Sequence, residues 1–144
     1  MAMCLWLTGR PGSGKSTIGR AIASELKRAG LPVVILDEDE LLHLVDGLEA
    51  TVWLVRVLAE GGVTVVAAAD RPDRDDREQV RAAVAKFVEV FVDGGSGAGA
   101  SGTGDDAYEE PFAPELRVPT HDREPSASIA LVVSWLEHIG LLNR

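Results

Sequence analysis

Cys4-Leu5-Trp6-Leu7-Thr8 runs directly into Gly9-Arg10-Pro11-Gly12-Ser13-Gly14-Lys15-Ser16-Thr17: an apolar run, a glycine-rich turn and the opening of a helical stretch. The second part satisfies G-x-x-x-x-G-K-[ST] with a strand before it and a helix after it, the context that gives this pattern meaning. Glycines let successive backbone N–H groups converge on a phosphate without a Cβ in the way, and the helix N-terminus adds partial positive charge. Lys15 is then placed to reach the β- and γ-phosphates of a triphosphate. The Ser16 hydroxyl suits Mg²⁺, a hard cation that favours oxygen. Thr17 either assists the α-phosphate or caps the helix, and Arg10 reads equally as a phosphate contact and as a solvated loop cation. The expected phosphate-binding set is Gly9, Gly12, Ser13, Gly14, Lys15, Ser16 and Thr17, with ATP and Mg²⁺ as cofactors.

Outward from that stretch, short β-branched runs alternate with longer helical ones, which predicts an α/β protein in three layers, a mainly parallel sheet covered by helices. Strands are expected at Met3 to Thr8, Pro32 to Leu36, Val63 to Ala69 and Phe87 to Val92, with Leu116 to Val118 as a short fifth. Helices are expected at Gly14 to Ala29, Leu41 to Ala59 (interrupted near Asp46-Gly47), Arg74 to Lys86 and Ser126 to Leu142. From Gly94 to Gly104 six of eleven residues are glycine and none is large and apolar, so this stretch reads as a flexible loop. Chain length fits one domain spanning residues 1–144.

The second strand runs into Asp37-Glu38-Asp39-Glu40, at the carboxyl edge of the sheet where ligands of open α/β folds gather. In extended geometry Asp37 and Asp39 share a side. One would orient an acceptor hydroxyl and the other hold Mg²⁺ through water, unless Asp39 merely caps the next helix. Asp70 closes an apolar run, the general form of a magnesium partner. Arg74 is the residue chosen to offset charge on a transferred phosphoryl group, whereas Arg77 and Arg81 read as cations on a solvated face. Catalytic candidates are therefore Lys15, Asp37 and Arg74, and metal candidates Ser16, Asp39 and Asp70. His43, His121 and His138 have no metal-site spacing, and Trp6, Trp53 and Trp135 read as core or helix-packing residues.

The 144 residues carry 14 Lys plus Arg against 23 Asp plus Glu, a formal charge of −9 that repels phosphate backbones and anionic lipid surfaces. Nucleic-acid and membrane partners are disfavoured, and a small-molecule substrate is expected. The single cysteine, Cys4, reads as a small buried hydrophobe, and the absence of a secretory pattern or an apolar run of about 20 residues favours a cytoplasmic location.

Several segments together resemble the adenylylsulfate kinase family of P-loop kinases. LWLTG with GSGKST is similar to that family's first strand and loop, LDEDE to its L-D-G-D, RPDRDDR to its S-P-[YF]-R-x-D-R and FVEVFVD to its F-I-E-V-F-V-D. TGDDAYEEPFAPELRV resembles its T-G-[IV]-D-x-P-Y-E-x-P-x-x-P-x-L-x-[IVL]. The resemblance implies a P-loop NTPase fold and transfer of the ATP γ-phosphate to the ribose 3′-hydroxyl of adenylyl sulfate. Asp37 would be the base, Asp39 the second acid and Arg74 the arginine after the proline; a homodimer would follow the family's habit. The chain departs from the pattern at Leu42 and Arg71, where the family has arginine and serine, at Gly102, where it has an aromatic platform, and at Gly94 to Gly104, which stands in place of a basic lid. Two further readings stay open: a catalytically degenerate ATP-binding module that has lost its acceptor site, and a small NTPase switch.

Overall fold

The computed structural model describes residues 2–37, 47–68, 73–95 and 108–142. In chain order the elements are β1 (Cys4–Thr8), α1 (Lys15–Arg28), β2 (Val33–Asp37), α2 (Gly47–Glu60), β3 (Thr64–Ala68), α3 (Arg74–Ala83), β4 (Phe87–Asp93), β5 (Leu116–Pro119) and α4 (Pro125–His138). The strands form one sheet in the order β2-β3-β1-β4-β5, and every pairing is parallel. The expected architecture is the observed one, with element ends moved by one to four residues; the helical stretch expected from Leu41 to Asp46, up to its interruption near Asp46-Gly47, lies outside the described residues.

Alternation along the central strand builds both faces. Leu5 and Leu7 pack with Ile18, Ile22 and Leu26 of α1 and Val132 and Leu136 of α4. Cys4 and Trp6 point the other way, to Val55 of α2 and Val80 of α3. A strand covered on both sides has no reason to alternate polar with apolar, which is why CLWLT is buried throughout. Burial also pushes the Cys4 thiol far above its ordinary range, leaving it protonated and inert. At the other end of the chain, Leu141 donates its N–H to the Leu136 carbonyl, so α4 stops at His138 and the turn folds Leu141 and Leu142 back into the core.

Two expectations fail. Trp53 is 57 % exposed, not a packing residue. Thr51 and Val55 set the buried side of α2, and a residue two places from either is turned by roughly 200°. Arg77, expected on a solvated face, is 2 % exposed, and its Nε lies 3.0 Å from Glu89 Oε2. Glu89 is the inward residue of β4 on the α3 face, and it supplies the countercharge that lets a guanidinium be buried. Arg81 is tied too, at 2.7 Å to Glu115 and 3.3 Å to Glu89.

β1 is central because β3 lies on one side of it and β4 on the other, so the strand order reverses direction there. The carboxyl edge at such a switch point is where open α/β sheets take ligands. In the register, Leu7 and Asp37 both align with Ala68, which sets Thr8, Asp37 and the loop after β1 along one edge.

Candidate active site

The loop from Gly9 to Gly14 joins β1 to α1 and is shaped by its glycines. A Cβ at Gly9 would lie 2.5 Å from the Val92 carbonyl oxygen and 2.6 Å from Ser13 Oγ, so no larger residue fits that cradle. Gly14, the residue before α1, has φ +104°, in the left-handed region that side-chain-bearing residues avoid. No side chain caps α1, and its first-turn N–H groups open toward the loop. Among the described residues Ser13 Oγ is buried without a hydrogen-bond partner. An orphaned hydroxyl, a cradle a Cβ would fill and an uncapped helix start are what a phosphate group would complete. Gly9→Ala is expected to weaken binding of an ATP analogue at least tenfold in calorimetry, since the backbone must shift to admit the methyl. An unchanged affinity would show that the cradle is not where phosphate sits.

Lys15 is the first residue of α1, and its ammonium donates to the Gly9 carbonyl at 2.7 Å, lying over the loop. Ser16 and Thr17 follow in the same turn. Thr17 is exposed and caps nothing. From outside, Thr120 Oγ1 donates to the Ser13 carbonyl at 2.6 Å and tethers the loop to the segment after β5. Arg10, read from sequence as a solvated cation or a phosphate contact, pairs with Glu110 at 2.8 Å and lies over the Tyr108 ring.

Asp37 ends β2 and is 2 % exposed, with Arg20 Nη2 of α1 at 3.5 Å from its Oδ2. It stands two strands from β1, roughly 10 Å at ordinary strand spacing. Arg74 opens α3. Its N–H donates to Glu109 Oε1 at 2.8 Å, its Nε donates to the Glu110 carbonyl, and its guanidinium stacks on Phe112. Asp39 and Asp70 lie outside the described residues, as do Leu42, Arg71 and Gly102 and most of the glycine-rich stretch. The start of that stretch is fixed: Gly95 donates to Asp93 Oδ1 at 2.9 Å.

Sequence reasoning missed the residues that hold these parts together. Tyr108 shares a 2.8 Å hydrogen bond with the buried Thr8 hydroxyl across 100 positions of sequence, and Glu109 caps α3. The only advance signal was the compact YEEP run, which residue-by-residue chemistry gives no role. Burial pushes the Tyr108 hydroxyl upward, the Thr8 bond opposing, so it stays protonated. Glu115 is raised by burial but held below its usual range by the bond from Arg81 and the N–H of Glu89.

Three comparisons bear on this site. The family model described as Adenylylsulphate kinase matches residues 1–101. The chain is 33% identical to the adenylyl-sulfate kinase of Geotalea daltonii, covering 98% of this chain and 85% of that protein. Among solved structures, the Mycobacterium tuberculosis APS kinase CysC superposes with a TM-score of 0.71 at 26% identity, over 94% of this chain and 97% of the other. A second structure of that enzyme, in complex with AMPPNP and APS, gives 0.77 at 24% identity over 94% and 98%, a likeness of fold.

Proposed function

The chain belongs to the adenylylsulphate kinase family, and on that premise we propose that it transfers the γ-phosphoryl group of ATP to a hydroxyl of a small acceptor, adenylyl sulfate by kinship. The observation that carries this reading is the loop itself: the Gly9 cradle, the orphaned Ser13 hydroxyl and Lys15 converge at the central strand's carboxyl edge. The relatives are kinases by name, and they give the degenerate-module reading no support.

Loop amides and the α1 N-terminus hold the β-phosphate, and Lys15 spans the β- and γ-oxygens. Asp37 accepts the proton of the acceptor hydroxyl as its oxygen bonds to the γ-phosphorus. The bond from that phosphorus to the bridging oxygen breaks, and ADP leaves with the electron pair. Arg74 offsets the charge on the phosphoryl group in flight. Mg²⁺ fits the oxygen chemistry of Ser16, with Asp39 and Asp70 as the acids of the set. When bound it neutralises charge on the β- and γ-oxygens.

Asp37→Asn preserves shape and removes the base. Turnover with adenylyl sulfate, followed as acceptor-dependent ADP release, is expected to fall about a hundredfold while affinity for an ATP analogue stays within threefold. Undiminished turnover would move the base elsewhere. Tight ATP binding by the native chain without transfer would instead favour the binding-module reading.

A further inference from the structure

Three consecutive residues after the glycine-rich stretch grip both halves of the site at once. The Tyr108 hydroxyl is bonded to Thr8, the residue before Gly9, and the Glu110 carboxylate pairs with Arg10, the residue after it. Gly9 is thus pinned from both neighbours, and it is the Gly9 carbonyl that receives the Lys15 ammonium. The same three residues hold the start of α3. The Glu109 carboxylate accepts from the Arg74 N–H, the Glu110 carbonyl from Arg74 Nε, and the Glu109 carbonyl from Arg77 Nη2.

The Tyr108 ring is the pivot. It is buried, stacks on Phe91 at 6.4 Å between centroids, and has the Arg10 and Arg77 guanidinium carbons each 5.3 Å from its centre. Arg10 belongs to the phosphate loop and Arg77 to α3, so the ring sits between the two parts that must meet around a γ-phosphate. A small displacement of the ring would move both, and misplacement by about 1 Å is enough to cost a hundredfold in rate. Packing alone would need only the ring. The buried hydroxyl and its partner on the last residue of β1 are an additional, directional constraint.

We propose that Tyr108, assisted by Glu110, is a positioning residue that fixes the phosphate loop and Arg74 in one mutual arrangement, acting on donor binding and transfer without touching substrate. The inference rests on the kinase reading of the same site, and its test separates the two. Tyr108→Phe keeps ring and stack while deleting the hydroxyl, and Thr8→Val deletes the partner. Each is expected to lower affinity for a non-hydrolysable ATP analogue with Mg²⁺, and kcat/KM for ATP, by about five- to tenfold. The double variant should be no worse than either single one, because the two hydroxyls act through one bond. Thr8→Ser should restore most of the loss. Glu110→Gln, at an exposed position that folding tolerates, is expected to lower both by about threefold.

A Tyr108→Phe protein with a lowered melting midpoint but analogue affinity and kcat within twofold of native would overturn the proposal, since that is the pattern of mere packing. So would additive effects of the two single variants. If the native chain binds the analogue and transfers nothing to adenylyl sulfate, the acceptor reading fails while the analogue affinities still decide the role of Tyr108. If the native chain binds no analogue, both fall.

Discussion

Lys15→Met is expected to lower kcat for phosphoryl transfer by about a thousandfold, the upper end for loss of one preorganised charge at the reacting group. The ammonium stands over the loop, 2.7 Å from the Gly9 carbonyl. It is thus held in place before nucleotide arrives and needs little reorganisation when charge develops on the γ-phosphate. Methionine keeps most of the stem and removes the charge, so the fold should survive and the melting midpoint should move little. The same change also frees the Gly9 carbonyl, and affinity for an ATP analogue should drop about tenfold as the loop loses its internal tie. Arginine at this position is expected to rescue poorly, because a planar fork cannot replace a compact point charge inside the loop. Steady-state rates with and without adenylyl sulfate give the check. Turnover within tenfold of native would mean that Lys15 does not face the transferred group.

The largest expected effect on stability is at Glu89, not in the phosphate loop. Glu89→Ala would leave the Arg77 guanidinium, 2 % exposed and 3.0 Å from the lost carboxylate, as a buried charge without its countercharge. Removing one partner of such a pair costs about 3–5 kcal/mol, which in a chain of this size lowers the melting midpoint by roughly 10–17 °C. Arg81 would lose its 3.3 Å contact to the same carboxylate, but Glu115 still holds it. Replacing both members, as in Arg77→Met with Glu89→Leu, should recover most of the loss, since apolar groups of similar volume need no countercharge. Thermal unfolding of the three proteins decides the matter. A single-variant midpoint within 2–3 °C of native, less than about 1 kcal/mol, would show that water reaches the pair.

The strands and the phosphate loop were legible in the sequence because their causes are local. β1, β3 and β4 are near-continuous β-branched and apolar runs, as strands covered on both faces must be, and the loop is specified by glycines and one lysine at fixed spacing. Arg74 at the start of α3 and Asp37 at the end of β2 were placed by the same local logic. What sequence could not give is which charges are buried. Arg77 and Arg81 recur at helical spacing as on any solvated face, and only the tertiary approach of Glu89 and Glu109 makes Arg77 an interior group, while Glu115 and Glu89 tie the partly exposed Arg81. Thr8 likewise ends an apolar strand without distinction until Tyr108 arrives from 100 residues away. The cap on α3 is a carboxylate 35 residues distant, while the side chain of Asp73, the residue just before the helix, makes no capping bond. Asp39 and Asp70 were equally plain to local reasoning, but they fall outside the described residues.

All of this depends on a triphosphate seating among residues 9–17. Calorimetric titration of the purified chain with a non-hydrolysable ATP analogue, with and without Mg²⁺, tests that most directly. The expected result is saturable one-site binding, tighter with Mg²⁺ and weakened by Gly9→Ala and Lys15→Met. A folded native chain that takes up no purine triphosphate, or binds it equally well after both substitutions, would contradict the account.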